Sequence, residues 1–165
     1  MLAKSLFPLA QVLLSDLDSA ALSLASENSQ LHAVDGIVRG DLLSWCRSSS
    51  VDIIIANPPY VDADDMRGLP AEYQHEPRLA LAGGEDGLDL VRVLLIDAAR
   101  ILRPTGLLIL EVGNSFEALD DLSEELHPIW VELEQGGHGV AVFMAQDLAQ
   151  WALSEDTTNS VVSAK

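Results

Sequence analysis

Residues Asn57-Pro58-Pro59-Tyr60 come directly after the most apolar run of the chain, Val51 to Ala56, and their types suit one kind of chemistry. Two prolines fix φ and stiffen the turn, so the side-chain oxygen of Asn57 and the carbonyl oxygen of Pro58 can act as paired acceptors in one pocket. Such a pair suits a planar NH2 group. Both N–H bonds are held, the nitrogen lone pair faces an electrophile, and Tyr60 can stack on the planar group. An amide nitrogen is a poor nucleophile because its lone pair is delocalised into the carbonyl. Fixed acceptors favour the positive charge that grows on it during attack, and no strong base is required. The plainer alternative is a rigid turn after a strand.

Two acids occupy comparable places. Asp16 ends the short apolar run Val12-Leu13-Leu14, and Asp41 comes after the run Gly36 to Arg39. In open α/β sheets ligands bind beyond the carboxyl ends of the strands, where an acid commonly accepts hydrogen bonds from ribose hydroxyls. Either acid could instead cap a neighbouring segment: Asp16, shared with Asp18, a helix from about 19 to 28, and Asp41 the stretch Leu42 to Trp45. Glu111 to Gly113 end a later strand. The four histidines, His32, His75, His127 and His138, share no metal-ligand spacing, and no metal is expected. Asp62, Asp64 and Asp65 read as a solvated loop face, and Glu76 can pair with Arg67 or Arg78. Ser115 has no His/Asp arrangement that would make it a nucleophile.

The elements that must position these residues alternate. Strands are expected at Val12 to Asp16, Gly36 to Arg39, Val51 to Ala56 and Leu107 to Val112, with helices at 19–28, at 88–102 closed by Pro104 and Gly106, and at 116–126. Trp130 to Leu133 and Val140 to Met144, joined through Gly136-Gly137-His138-Gly139, form an antiparallel hairpin. Pro70, Pro77, Gly68, Gly83 and Gly84 make 61–86 a long functional or disordered loop. The pattern predicts an α/β fold whose mostly parallel sheet has an antiparallel edge hairpin, in one domain over 1–153, with a flexible tail at 154–165.

Composition narrows the function. At 165 residues and 48% hydrophobic, the chain can bury a core without metals or disulfides, and its single Cys46 fits a reducing cytoplasm. No apolar run approaches the roughly 20 residues of a membrane span, so no membrane role is expected. Nine Lys plus Arg against 26 Asp plus Glu give a net charge of −17. That charge disfavours a nucleic-acid substrate and would steer a basic protein partner, although such acidity often serves only solubility.

With these residues in view the sequence resembles a family. Ile54-Ile-Ala-Asn-Pro-Pro-Tyr-Val-Asp62 is similar to the signature of S-adenosylmethionine-dependent methyltransferases that modify glutamine amides or adenine amines. Leu69-Pro-Ala-Glu-Tyr-Gln-His-Glu-Pro77, Leu79-Ala-Leu-Ala-Gly-Gly-Glu-Asp-Gly-Leu88 and Glu111-Val-Gly-Asn-Ser115 resemble its protein-glutamine branch. Within that branch they are most similar to enzymes acting on a large-subunit ribosomal protein, with a peptide-chain release factor as the alternative substrate. The resemblance covers about residues 8–150 and implies a Rossmann-like fold. It gives S-adenosylmethionine as cofactor, held by Asp16 and Leu17 on the ribose side, by Asp41 and Leu42 on the adenine side, and by Asn57. It makes Asn57, Pro58, Pro59 and Tyr60 the catalytic substrate-amide site and places His75, Glu76 and Pro77 in a substrate loop.

The chain also departs from the family. A glycine-rich loop normally comes after the first strand, roughly 20 residues before the ribose acid, yet the first glycine here is Gly36. First strand and loop are therefore expected to be missing, the cofactor to bind weakly, and the isolated chain to be inactive in one alternative reading. Val12 to Ser15 and Val51 to Ala56 would each lack a neighbour. The chain would then self-associate through this open edge or pair the two strands with each other.

Overall fold

A computed structural model describes residues 2–32, 34–60, 84, 86–122, 126–134 and 138–162. The chain divides into two compact units, 1–46 and 47–165, where the sequence pattern suggested one domain over 1–153.

The first unit holds helix α1 (Leu2–Leu6), strand β1 (Leu13–Asp16), helix α2 (Ser19–His32) and strand β2 (Gly36–Arg39). β1 and β2 run parallel, Leu13 opposite Gly36 and Asp16 opposite Arg39. α2 is rich in Ala, Leu and Ser, and it turns Leu22, Ala25 and Ser29 inward at helical spacing. It is longer than the expected 19–28, since no Gly or Pro interrupts the run to His32. Asp35 ties the unit's start together. Its Oδ2 accepts from the Lys4 ammonium and the Val12 N–H, each at 2.8 Å, and its own N–H donates to the Val12 carbonyl at 2.9 Å. The hydrogen bond from Lys4 is the main reason its carboxyl sits below the usual aspartate range.

The second unit contains strand β3 (Val51–Ala56), helix α3 (Asp89–Ile101), strand β4 (Leu102–Glu111), a 3-10 turn (Gly113–Ser115), helix α4 (Phe116–Leu122), strands β5 (Ile129–Trp130) and β6 (Val140–Met144), and helix α5 (Ala145–Val162). Its sheet has the order β3-β4-β6-β5, with β3 parallel to β4 and β6 antiparallel to both β4 and β5. This is a mixed sheet that contains the expected antiparallel hairpin, with β6 lying between β4 and β5 rather than at the edge, and it is consistent with a Rossmann-like α/β fold. Ile54, Leu108 and Phe143 align across it on one face with Leu110 and Ala141, all buried. α3 contributes Val91, Leu94, Leu95, Ala98 and Ile101 to the same core, and α5 contributes Leu148 and Trp151 while packing on α3 and β4.

Several boundaries differ from the pattern. β4 begins at Leu102 and takes in Pro104 and Gly106, which sequence reasoning used to close the preceding helix. A proline fits there because the register against β3 shifts between Val51 and Ile53, so the ladder has no bond to lose at that point. α5 is helical to Val162, where a flexible tail was expected from 154; no Gly or Pro occurs in 145–162 to end it. α4 stops at Leu122, earlier than the expected 126. β1 pairs with β2 alone and β3 with β4 alone among the described residues. The direct pairing of 12–15 with 51–56 that the sequence allowed is therefore not the register observed. Among the described residues, no helix is long and apolar enough to cross a membrane.

Candidate active site

In the second unit the chain leaves β3 at Ala56 and enters the Asn57–Tyr60 turn with Asn57 exposed, Pro58 buried and Pro59 and Tyr60 half-buried. A buried proline costs nothing in lost donors, and it seats the turn against the core while Asn57 stays outside. The far end of the turn is fixed by the end of β4. Ser115, the one buried polar residue among those described, donates its hydroxyl to the Tyr60 carbonyl at 2.9 Å. Gly87, just before α3, lies so close that a Cβ there would collide with both atoms of this bond. Tyr60 Oη lies 3.5 Å from Glu111 Oε1, a long and weak contact.

The Tyr60 ring rests on backbone. Gly113 has φ +49, and a Cβ on it would stand 2.5 Å from Tyr60 Cε2 and 2.9 Å from Cζ, so any larger residue would push the ring away. Gly139, entering β6, presses in turn on the backbone of Gly113, and its carbonyl accepts from the Val112 N–H at 2.7 Å. A further tie runs between Asn114 Oδ1 and His138 Nε2 at 3.0 Å. The turn is thus held by three segments distant in sequence: the entry to α3, the exit of β4 and the entry to β6. The sequence pattern marked Ser115 as the end of the Glu111–Ser115 motif and as no nucleophile, and did not foresee its bond to the turn. The usable signal was Gly113-Asn114-Ser115 directly after a strand end.

The first unit carries the other candidates. Asp16 and Asp41 lie at the carboxyl edge of the β1-β2 pair, where strand direction places them. Asp16 Oδ1 accepts the Asp18 N–H at 2.8 Å, and Asp18 Oδ1 accepts the Ala20 N–H at 2.9 Å at the first turn of α2. Capping thus falls to Asp18, with Asp16 fixing the approach to it. Leu17 presents its carbonyl to Arg39 Nε at 3.1 Å. The Asp41 carbonyl accepts from the Ser44 N–H at 3.1 Å and the Ser44 hydroxyl at 2.8 Å, which makes 41–46 a turn rather than a capped helix. Leu42 sits at φ +45, a conformation leucine rarely adopts, and the Trp45 indole N–H donates to its carbonyl at 3.1 Å. A strained residue held in place at a strand end is the kind of observation that marks a binding position. His75, Glu76 and Pro77 lie outside the described residues.

Acids at the carboxyl edge of a parallel strand pair in the first unit, and a rigid turn after a parallel strand in the second, are features of the α/β class of protein, whose ligands bind beyond strand ends. The family model described as methyltransferase small domain matches residues 1–71. The chain is 35% identical over 150 residues to the ribosomal protein uL3 glutamine methyltransferase of Francisella tularensis, taking in 89% of this chain and 48% of that protein. To the Bradyrhizobium diazoefficiens protein of the same name it is 42% identical over 151 residues, 90% of this chain and 47% of the relative. The chain thus resembles the ribosomal protein uL3 glutamine methyltransferases over most of its own length and spans about half the length of the curated relatives it matches. Among solved structures, a TehB-like S-adenosylmethionine-dependent methyltransferase from Corynebacterium glutamicum aligns with TM-score 0.44 and 19% identity, over 81% of this chain and 67% of that one.

Proposed function

We propose that this chain carries the catalytic turn and nucleoside-holding acids of a cytoplasmic S-adenosylmethionine-dependent transferase that methylates a glutamine amide nitrogen in a large-subunit ribosomal protein. One observation supports the reading most: homology to uL3 glutamine methyltransferases falls on a chain whose Asn57–Tyr60 turn is clamped by Ser115 and Gly113. The residues present suit the cofactor, since Asp16 and Asp41 are acceptors at a parallel strand edge and Leu42 is held in an unusual backbone conformation beside Asp41. Asp16 and Leu17 would hold the ribose side, and Asp41 and Leu42 the adenine side. When bound, the cofactor supplies a methyl group on a positively charged sulfur.

The protein's own part is positioning. Asn57 Oδ1 and the Pro58 carbonyl accept the two N–H bonds of the substrate amide, which turns the nitrogen lone pair away from both. As the nitrogen gains positive charge, those two acceptors gain strength with no reorganisation. Pro59 keeps the turn rigid, and Tyr60, backed by Gly113, covers the amide plane. The proton lost from nitrogen passes to solvent. We assign His75, Glu76 and Pro77, which lie outside the described residues, to contact with the substrate.

Transfer of radiolabelled methyl groups to purified uL3, by an enzyme restored to the length of the relatives, tests this. Replacing Asn57 with alanine removes one of two acceptors that act mainly in the transition state, so the rate should fall by roughly 100-fold with folding little changed. Near-equal rates would reduce Asn57 to a turn residue, and labelling of a release factor in preference to uL3 would move the substrate to the sister branch.

A further inference from the structure

A groove of about 740 Å3 lies between α4 and residues 130–133, 138 and 139, with no residue of the Asn57–Tyr60 turn among those lining it. Its half-buried surface is apolar, formed by Phe116, Trp130 and Val131. Its exposed margin carries the carboxylates Glu117, Asp121 and Glu132, and no lysine or arginine is among its lining residues. The aromatic part is rigid. The Trp130 indole N–H donates to Asp120 Oδ1 at 3.1 Å, and Phe116 meets Trp130 edge-on with ring centroids 6.1 Å apart. The groove is continuous with the candidate active site: Gly139 lines it, Gly139 presses on Gly113, and Gly113 carries the Tyr60 ring.

We propose that this groove seats a lysine- or arginine-bearing segment of the polypeptide substrate. Aliphatic stems of such side chains cover aromatic surface while their cationic heads reach carboxylates at its margin, and an aromatic face adds its own attraction for the cation. Charge complementarity identifies the occupant. The chain has a net charge of −17, and the exposed border of this apolar groove carries four carboxylates, Glu117, Asp120, Asp121 and Glu132, beside Leu133 and His138. The choice of a protein substrate rests on the function proposed above: a ribosomal protein must neutralise RNA phosphates and therefore carries surplus Lys and Arg. An RNA strand, which would bring phosphates to the same carboxylates, is the opposite expectation.

The test uses the chain itself and a short peptide of alternating glycine and arginine. Trp45, Trp130 and Trp151 give three indole N–H resonances, and titration should move that of Trp130 while leaving the other two in place. A variant with Glu117→Gln, Asp121→Asn and Glu132→Gln should bind the peptide about 10-fold more weakly, and a control with Glu27→Gln, Asp89→Asn and Asp147→Asn should bind nearly as the parent does. Equal weakening in both variants, shifts spread over all three indoles, or binding of a short RNA at Trp130 would each overturn the proposal. So would an unchanged KM for uL3 in the groove variant. Peptide binding at Trp130 together with a restored enzyme that labels a release factor in preference to uL3 would instead support the groove and remove the proposed function.

Discussion

Residues 1–46 and 47–165 use the same vocabulary of apolar strands and helices, but only the second builds a core. Every buried residue among those described lies beyond position 47, whereas Leu13, Leu17, Leu24 and Leu31 in the first unit stand about half or more exposed. The difference lies in cover rather than in composition. β4 is flanked on both sides, and its one face lies beneath α3 and α5. β1 and β2 form a two-stranded sheet with one helix of modest apolar face, and two strands with so little cover bury too few methyl groups to offset chain entropy. A strand's hydrophobicity is thus realised only when both a neighbour and a layer are present.

The sharpest way to break that comparison is to delete matched leucines. Leu108→Ala removes a fully buried side chain between α3, α5 and Phe143 and should cost about 3–5 kcal/mol, while Leu24→Ala in α2 should cost under about 0.5 kcal/mol. Urea unfolding of both variants decides it, and similar costs would show that the first unit is better packed than its exposure indicates. Amide exchange should agree. Protons of β4 and β6 should exchange orders of magnitude more slowly than those of β1 and β2.

A smaller effect is expected where the core meets the candidate site. Ser115→Ala removes the Ser115 hydroxyl from the half-buried Tyr60 carbonyl, a loss of about 0.5–1.5 kcal/mol. Because that bond aims the Asn57–Tyr60 turn, the methylation rate should fall at unchanged KM for the cofactor, and Ser115→Thr, which keeps the hydroxyl, should restore most of the rate. A rate loss that merely tracks the fraction unfolded would make Ser115 a stability residue only.

The same comparison explains what was legible beforehand. The unbroken apolar run Val51–Ala56, the spacing of Val91, Leu94, Leu95 and Ala98, and the glycine-linked hairpin each carry a local period, and all three elements appear near where that period puts them. The Asn57–Tyr60 turn announced itself through two prolines. Its supports did not. Ser115, Gly113 and Gly139 become neighbours only through the β4–β6 pairing, a long-range event that no local window contains. Pro104 misled for the opposite reason: it is a breaker in general, and only the register shift opposite Val51 makes it harmless. The division at residue 46 was likewise invisible, since apolar content looks alike on both sides and burial depends on neighbours.

The smallest effect separates the two regions by pH. Among the described residues each has one carboxylate held below its ordinary range: Asp35 by the Lys4 ammonium, and Asp86 chiefly by the Arg92 guanidinium, with the Leu88 N–H adding a bond at 3.0 Å. A carboxyl whose folded pKa lies below its unfolded value of 3.8 contributes its full stability above that value and loses it as pH falls through the folded pKa. Asp86 precedes α3 and Gly87, so its ion pair closes the segment that backs Ser115 and the Tyr60 carbonyl. The pair is partly exposed and screened, so Asp86→Asn should cost only about 0.5 kcal/mol near neutral pH. That difference should begin to shrink below pH 3.8 and go on shrinking as the pH falls through the lowered folded value. Urea midpoints for parent and variant at neutral and acid pH measure it. A deficit that persists undiminished in acid would mean that the carboxylate acts through shape at the start of α3 and that charge has no part in it.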